Sequence, residues 1–73
     1  MTKLTPLNAK EICKKLKKLD FVKIRQKGSH TFWKHSDGRC TVIPIHKGED
    51  ITKGLLRSIL NQIEISWGEF KKL

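Results

Sequence analysis

Three histidines are the side chains of this sequence that can change charge near neutral pH, which makes them the first candidates for chemistry. They are His30, His35 and His46. A zinc site built from them with Cys13 or Cys40 would need ligands that converge on one point. His30 and His35 are five residues apart on one predicted strand, so they point to opposite faces. The sequence therefore argues against a metal site and implies no cofactor.

His30 is the strongest candidate of the three because its surroundings are cationic. The basic residues near it are Arg25, Lys27 and Lys34. Cleaving RNA without a metal requires a group that takes the 2′-OH proton, a group that protonates the leaving 5′-oxygen, and cations that stabilise the charge on phosphorus. An imidazole among lysine and arginine side chains brings such groups together. The simpler alternative, a histidine that only hydrogen-bonds at a hairpin end, is favoured by residue types alone.

The net charge points to a polyanionic partner. The 73 residues carry 16 Lys and Arg against 7 Asp and Glu, which gives a formal net charge of +9. The charge is uneven, at +8 over residues 1–39 and +1 over residues 40–73. A basic domain attracts polyanions by steering and counterion release, so nucleic acid is the favoured partner. A solvated lysine surface that keeps a small protein in solution is the alternative.

Length and composition exclude several classes of protein. A chain of 73 residues allows one core, so residues 1–73 are predicted to form a single domain. No apolar run approaches the roughly 18 residues that cross a bilayer, and the N-terminal residues lack the apolar stretch of a signal peptide. We therefore expect no membrane partner. With two cysteines and no tight spacing, we expect a reducing cytoplasm.

The first element that must position these residues is a lysine-rich helix. It is predicted to begin near Asn8, with Glu11 completing a capping-box pair. One apolar face is formed by Ala9, Ile12, Cys13, Leu16 and Leu19. The rest of the helix carries Lys10, Lys14, Lys15, Lys17 and Lys18, which we expect to face solvent and to follow phosphates.

Three short strands follow, each with alternating side chains. The first places Val22, Ile24 and Gln26 on one side and Lys23, Arg25 and Lys27 on the other. Gly28-Ser29 is a two-residue turn signal. The second strand places His30, Phe32 and Lys34 on one face and Thr31, Trp33 and His35 on the other. Asp37-Gly38 marks the next turn, and the third strand runs from about Cys40 to Ile45.

A second helix is predicted from about Asp50 or Thr52 to Ile63, with a closing turn capped by Ser66. The fold class is therefore α+β: a three-stranded antiparallel sheet with two helices packed on one face. The opposite face of the sheet is left open, and function is expected there. Of Phe32 and Trp33, one is expected in the core, and the other is a candidate for stacking a base.

Three segments in their order and spacing resemble the HicA toxins of bacterial HicAB toxin–antitoxin systems. They are Gly28-Ser29-His30 after a lysine-rich helix, Ile43-Pro44-Ile45-His46, and Leu55-Leu56-Arg57-Ser58-Ile59-Leu60. The resemblance covers about Lys10 to Phe70. It implies an α-β-β-β-α fold like that of double-stranded-RNA-binding domains. It also implies an mRNA interferase, an endoribonuclease that cleaves transcripts and is held inactive by a HicB antitoxin.

The resemblance assigns site residues by position. The catalytic histidine of the family falls on His30, and Pro44 and His46 match its Pro-x-His element. Gly28 is expected to form the turn that presents His30, and Ser29 to orient the ring or a phosphate. The expected RNA-binding residues are Lys27, Arg25, Lys34, Lys14 and Lys18.

The sequence departs from the family at two places. Asp20 stands where a glycine is common, which implies a different cap for the first helix, and Ile63-Glu64-Ile65 replaces an alanine-glycine pair. The expected partners are mRNA and a HicB-type antitoxin, with DNA reached only through the antitoxin complex. Two alternatives stay open: a non-catalytic RNA-binding module of the same fold, and an interaction protein whose basic face fits an acidic antitoxin.

Overall fold

The main sheet consists of β2 (Val22–Lys27), β3 (His30–Lys34) and β4 (Cys40–Pro44), which pair antiparallel in that order. The computed structural model describes residues 4–73, so residues 1–3 of the predicted domain lie outside it. The remaining elements are β1 (Leu7–Asn8), α1 (Ala9–Lys18), β5 (Asp50–Ile51), α2 (Lys53–Ile63) and α3 (Trp67–Phe70). The predicted α+β class and the α-β-β-β-α order are confirmed.

Helix α1 begins and packs as its sequence predicts. Asn8 accepts a hydrogen bond from the backbone N–H of Lys10 at 2.7 Å, which satisfies one free donor of the first turn. The capped N–H is that of Lys10 and not that of Glu11, and across the described residues Glu11 makes no return hydrogen bond, so the predicted capping-box pair does not form. Ile12 and Leu16 are fully buried, which confirms the apolar face.

Lys15 departs from the expected solvent-facing row of lysines. Its side chain is buried, and Nζ donates hydrogen bonds to the carbonyl oxygens of Lys71 at 3.3 Å and Leu73 at 2.9 Å. The ammonium also lies 5.8 Å from the centre of the Phe70 ring. A buried ammonium must be compensated by acceptors, and here backbone carbonyls supply them. The prediction that Lys15 faces solvent is therefore wrong.

Both long helices end at a residue with left-handed backbone. Asp20 has φ +68°, and the N–H of Phe21 donates to the carbonyl oxygen of Leu16 at 3.0 Å, which is the Schellman pattern. Glu64 has φ +58° directly after α2. Glycine is the residue that favours this conformation. The cap after α1 therefore keeps the geometry of a glycine cap, and the expectation of a different cap at Asp20 is wrong.

The core lies between the sheet and the helices. Trp33 is 3% exposed, Ile43 is buried completely, and both face the helices. Helix α2 packs on β4, and Leu56, Ile59 and Ile63 bring their side chains into the same cluster. Phe70 of α3 closes the core from the end of the chain.

The other face of the sheet is not covered by any helix of the described residues. His30, Phe32 and Lys34 occupy this open face, as the alternation in β3 predicts. Trp33 is thus the core residue of the predicted pair, and Phe32 is the outer one.

A β-bulge in β2 changes the predicted alternation of that strand. Lys23 pairs with Trp33, but Arg25 already pairs with Phe32, so Ile24 is the extra residue. A bulge adds one residue to one strand and reverses the side-chain direction beyond it. Val22 therefore shares the open face with Arg25, and the predicted grouping of Val22 and Ile24 opposite Arg25 is wrong.

A second sheet of two strands lies outside the sequence prediction. Leu7 of β1 pairs with Ile51 of β5, which joins the start of α1 to the segment before α2. Thr52 then caps α2 by accepting from the N–H of Leu55 at 3.5 Å, within the predicted range for the helix start. Within residues 4–73 no helix has the length and apolar character to cross a membrane.

Candidate functional site

The turn between β2 and β3 presents the candidate site. Gly28 has φ +60°, whereas Ser29 does not have a positive φ, which is the pattern of a type II′ hairpin turn. The carbonyl oxygen of Ser29 accepts a hydrogen bond from the N–H of Ile45 at 2.7 Å. This bond ties the turn to the residue directly after β4. Gly28 thus forms the tight turn that the sequence predicts.

His30 is the first residue of β3 and its side chain is exposed. On the open face it lies between Lys27 of β2 and Pro44 of β4, its two register partners. In the described part of the chain its imidazole makes no hydrogen bond, and neither does the Ser29 hydroxyl. Both groups are therefore available to a ligand.

The strand under His30 is fixed from its buried face. Thr31 donates a hydrogen bond through Oγ1 to the carbonyl oxygen of Ile43 at 2.8 Å and accepts one from Trp33 Nε1 at 2.9 Å. All three of these residues are buried. A buried chain of hydrogen bonds holds a side chain in one arrangement, because an unpaired polar atom there is costly. His30 is thus exposed on a rigid strand.

The cations nearest to His30 in the sheet share its face. Arg25 pairs with Phe32, and its guanidinium carbon lies 4.8 Å from the centre of the Phe32 ring. Lys27 pairs with His30 itself, and Lys34 lies two residues beyond Phe32 on the same side. The structure therefore brings three of the predicted RNA-binding residues to the open face with His30.

No carboxylate lies in the three strands of the sheet. Asp37 in the turn after β3 is the nearest acidic residue along the chain, and its Oδ2 accepts from Arg39 Nε at 2.8 Å. The backbone N–H of Arg39, followed by its guanidinium, lowers the pKa of Asp37. Asp37 is thus paired with Arg39, and the charged side chains that the three strands themselves contribute are all cations.

Lys14 and Lys18 form part of a separate basic surface. Both are exposed on α1, which packs on the buried face of the sheet. The structure therefore does not place these two predicted RNA-binding residues on the face that carries His30. A ligand that contacts both surfaces must pass around the edge of the sheet.

The other histidines lie apart from this group. His35 is half-buried, with its ring 5.2 Å from the Phe21 ring and its Nδ1 accepting from the N–H of Asp37 at 3.1 Å. His46 is exposed beyond β4, and over residues 4–73 its side chain has no hydrogen bond to His30. Burial raises the pKa of the Cys13 thiol. In that part of the chain no group of three or more His, Cys, Asp or Glu side chains could hold a metal ion.

The sequence prediction missed the apolar residues beside the cations. Val22 and Ile24 are 61% and 60% exposed, and both belong to the strand that carries Arg25. Simple alternation along β2 places Val22 on the opposite face from Arg25. The bulge at Ile24 changes this, so that Val22 faces outward with Arg25. No signal in the sequence marks this bulge.

A family model described as the HicA toxin of bacterial toxin–antitoxin systems matches residues 9–65. The chain belongs to this family. The match runs from the start of α1 to the end of α2 and includes the turn with His30. No curated protein sequence matches the chain.

Family membership makes this protein a toxin of a toxin–antitoxin system, with an antitoxin as its partner. The HicA resemblance that the sequence shows is confirmed.

Proposed function

We propose that this HicA toxin is an endoribonuclease that cleaves mRNA with His30 as its general acid/base. The observation that carries the proposal is an exposed imidazole that makes no hydrogen bond within residues 4–73, on a face that holds three cations and no carboxylate from the three strands. Lys27, Arg25 and Lys34 attract the RNA and stabilise charge on the phosphate, and Ser29 orients a phosphate oxygen or the ring. Lys14 and Lys18 bind more distant phosphates.

The cleavage step follows from the chemistry of RNA. His30 takes the proton of a ribose 2′-OH, and the 2′-oxygen forms a bond to the neighbouring phosphorus. The bond between phosphorus and the 5′-oxygen breaks, and this oxygen takes a proton from solvent. The products are a 2′,3′-cyclic phosphate and a free 5′-OH. The step uses no metal ion, so the proposed reaction is independent of metals.

The antitoxin partner is proposed to be a HicB-type protein that covers the His30 face. Covering a single imidazole is a direct way to silence an enzyme of this size, and an acidic surface would complement the open face. DNA is then contacted only through the toxin–antitoxin complex. Because mRNA is the substrate, the cytoplasm is the expected location.

The test is RNA cleavage by purified protein in EDTA, comparing the wild type with His30→Ala. General acid–base catalysis contributes about 10²- to 10⁴-fold, so we expect the variant to lose cleavage by at least about 100-fold. Wild-type products should carry 2′,3′-cyclic phosphate ends. His35→Gln is the matched control, because this histidine lies at the other end of the same strand and faces away from the site.

Three results would contradict the proposal. Wild-type cleavage by His30→Ala would remove His30 from the reaction. Loss of wild-type activity in EDTA would show that a metal ion takes part. RNA binding by the wild type without strand scission would establish the alternative of a non-catalytic RNA-binding module.

A further inference from the structure

An apolar strip crosses the open face of the sheet beside the cations. It consists of the exposed side chains of Val22, Ile24 and Val42 and the partly buried ring of Phe32, one or two residues from each of the three strands. Val22 and Ile24 are about three-fifths exposed, and Val42 is 36% exposed. Contiguous exposed apolar surface with a polar rim marks an interaction site more often than chance surface does. The cleavage chemistry proposed for His30 makes no use of this strip.

Three members of the strip, Ile24, Phe32 and Val42, line a groove of about 570 Å³. Its lining includes Ile24, Phe32, Lys34, Cys40, Val42 and Gln62, so it runs from β2 across β3 to the edge of β4. Ligand sites of roughly 300–1,000 Å³ hold small planar molecules on mostly apolar walls. The groove therefore has room for a nucleobase.

Phe32 is the aromatic ring of this strip. The guanidinium of Arg25 packs at 4.8 Å from its ring centre, yet Arg25 is not part of the groove lining. One side of the ring is thus covered by a cation and another borders the groove. Single-stranded nucleic acids are bound by this combination, in which bases stack on aromatic rings and on arginine planes.

The charges around the strip decide between possible occupants. Lys34 lines the groove, and Lys27 and Arg25 follow on the same face. The strands hold no carboxylate that would repel a phosphate. A ligand with a planar apolar part and a phosphate backbone can pack its apolar part on the strip and pair its phosphates with the cations. Single-stranded RNA has both parts.

Phe32 is also at the right spacing from His30. The two residues are separated by one residue of β3 and point to the same face. A strand rises about 3.4 Å per residue, which places their side chains about 7 Å apart. We propose that Phe32, backed by Arg25, is a stacking site for a nucleobase of single-stranded RNA next to the phosphate that His30 cleaves. The inference rests on the proposed function, and it makes Phe32 a positioning residue.

The experiment measures the affinity of two probes by fluorescence anisotropy at fixed salt. One is a short single-stranded 2′-O-methyl oligouridine, and the other is the same methylated ribose-phosphate chain without bases. Neither probe can be cut by attack of a 2′-OH. The proteins are the wild type, Phe32→Leu, Phe32→Tyr, and Leu55→Ala, which truncates an exposed apolar residue on α2.

Stacking on an aromatic ring changes affinity by about 5- to 150-fold per base. We therefore expect Phe32→Leu to weaken binding of the oligouridine by that factor while its affinity for the base-free probe stays unchanged. Phe32→Tyr keeps a ring and should bind both probes like the wild type. Leu55→Ala should also match the wild type.

Two outcomes would overturn the inference. In one, Phe32→Leu binds both probes as tightly as the wild type, or weakens both equally, because neither pattern reports contact with a base. In the other, Phe32→Leu keeps its affinity for RNA but loses binding to the antitoxin, which would assign the strip to the protein partner. Since the probes are not cleaved, failure of the wild type to cut RNA would contradict the proposed function alone.

Discussion

The two hairpin turns of the sheet use their side chains in opposite ways. In the turn after β3, Asp37 accepts hydrogen bonds from the backbone N–H and the guanidinium of Arg39, at 3.0 and 2.8 Å. Arg39 also donates to the carbonyl oxygen of Ile63, which ties this turn to α2. In the turn after β2, Ser29 and His30 make no side-chain hydrogen bond within the described range. One turn holds the fold together, and the other leaves its polar groups for a ligand.

The histidines at the two turns show the same contrast. His35 packs on Phe21 and contacts Asp37, whereas His30 contacts solvent. Residue type alone therefore does not distinguish a structural histidine from a candidate catalytic one. Its hydrogen bonds and its exposure do.

The largest expected effect is a difference between His30 and His35 variants in two quantities, the rate of RNA cleavage and the free energy of unfolding. His30→Ala should lower the rate of RNA cleavage by about 10²- to 10⁴-fold. It should change the free energy of unfolding by less than about 0.5 kcal/mol. His35→Ala should keep cleavage and lower the free energy of unfolding by roughly 1–3 kcal/mol, because a half-buried ring is lost. Cleavage rates and urea unfolding check both. A lower free energy of unfolding for His30→Ala than for His35→Ala would contradict the distinction between an exposed functional histidine and a structural one.

A second prediction concerns the support under the first hairpin. Thr31→Val keeps the shape of the side chain but leaves Trp33 Nε1 without its acceptor in the core. We expect roughly 1–3 kcal/mol of lost stability, measured by urea unfolding.

The matched control is Thr31→Val with Trp33→Phe, which removes donor and acceptor together. A double-mutant cycle should show coupling between the two positions. Additive effects would mean that this hydrogen bond does not hold β3.

The glycines of the two turns provide a third comparison. Gly28 has φ +60° and Gly38 has φ +102°, and apart from the adjacent residues a Cβ at either position would meet no atom of residues 4–73 within 4 Å. Alanine should therefore cost only backbone strain, about 1–2 kcal/mol at each turn, measured by thermal unfolding. Only Gly28→Ala should also lower cleavage, because it lies next to the site.

Gly28→Asn is the control, since asparagine tolerates a φ near +60° better than alanine does. We expect its loss of stability to be smaller. Equal loss of cleavage in Gly28→Ala and Gly38→Ala would contradict a special role for the first turn.

The smallest expected effect is the pH dependence of the second turn. The pKa of Asp37 is lowered in the folded state, so its ionisation stabilises the fold above the ordinary pKa of about 3.9 and this contribution is lost as the pH falls. Asp37→Asn should be slightly less stable than the wild type near pH 7. The two should converge once the pH falls below the lowered pKa of Asp37 in the folded state. Thermal unfolding across this range tests the sign, and a constant difference would contradict it.

Much of the fold follows from the spacing of apolar residues. The helix faces, the order of the elements and the two turn positions were all predictable, because Ile12 and Leu16 repeat at helical spacing and glycines mark the turns. The outward direction of His30 also follows from alternation within β3. The position and direction of the candidate site residues can thus be predicted from the sequence wherever local periodicity determines the geometry.

The features that the sequence concealed depend on contacts between distant segments. Lys15 is buried because the carbonyl oxygens of Lys71 and Leu73 approach it from the other end of the chain. The bulge at Ile24 and the pairing of Leu7 with Ile51 likewise depend on tertiary structure. At Asp20 the sequence differs from the glycine that is common in the family, but the structure does not differ. The backbone of Asp20 keeps the left-handed conformation of a glycine cap.

Strand β2 lies at the edge of the sheet with all six residues exposed, and this has a consequence for self-association. A free edge with apolar side chains such as Val22 and Ile24 is a template for pairing with another copy of the chain. The bulge and the positive charges of Lys23, Arg25 and Lys27 oppose such pairing. Two of these cations, Arg25 and Lys27, are also assigned to RNA, so the same charges that attract RNA oppose self-association of the chain. Replacing several of them by neutral residues should promote aggregation, so the dispersity of each such variant must be measured before its activity is compared.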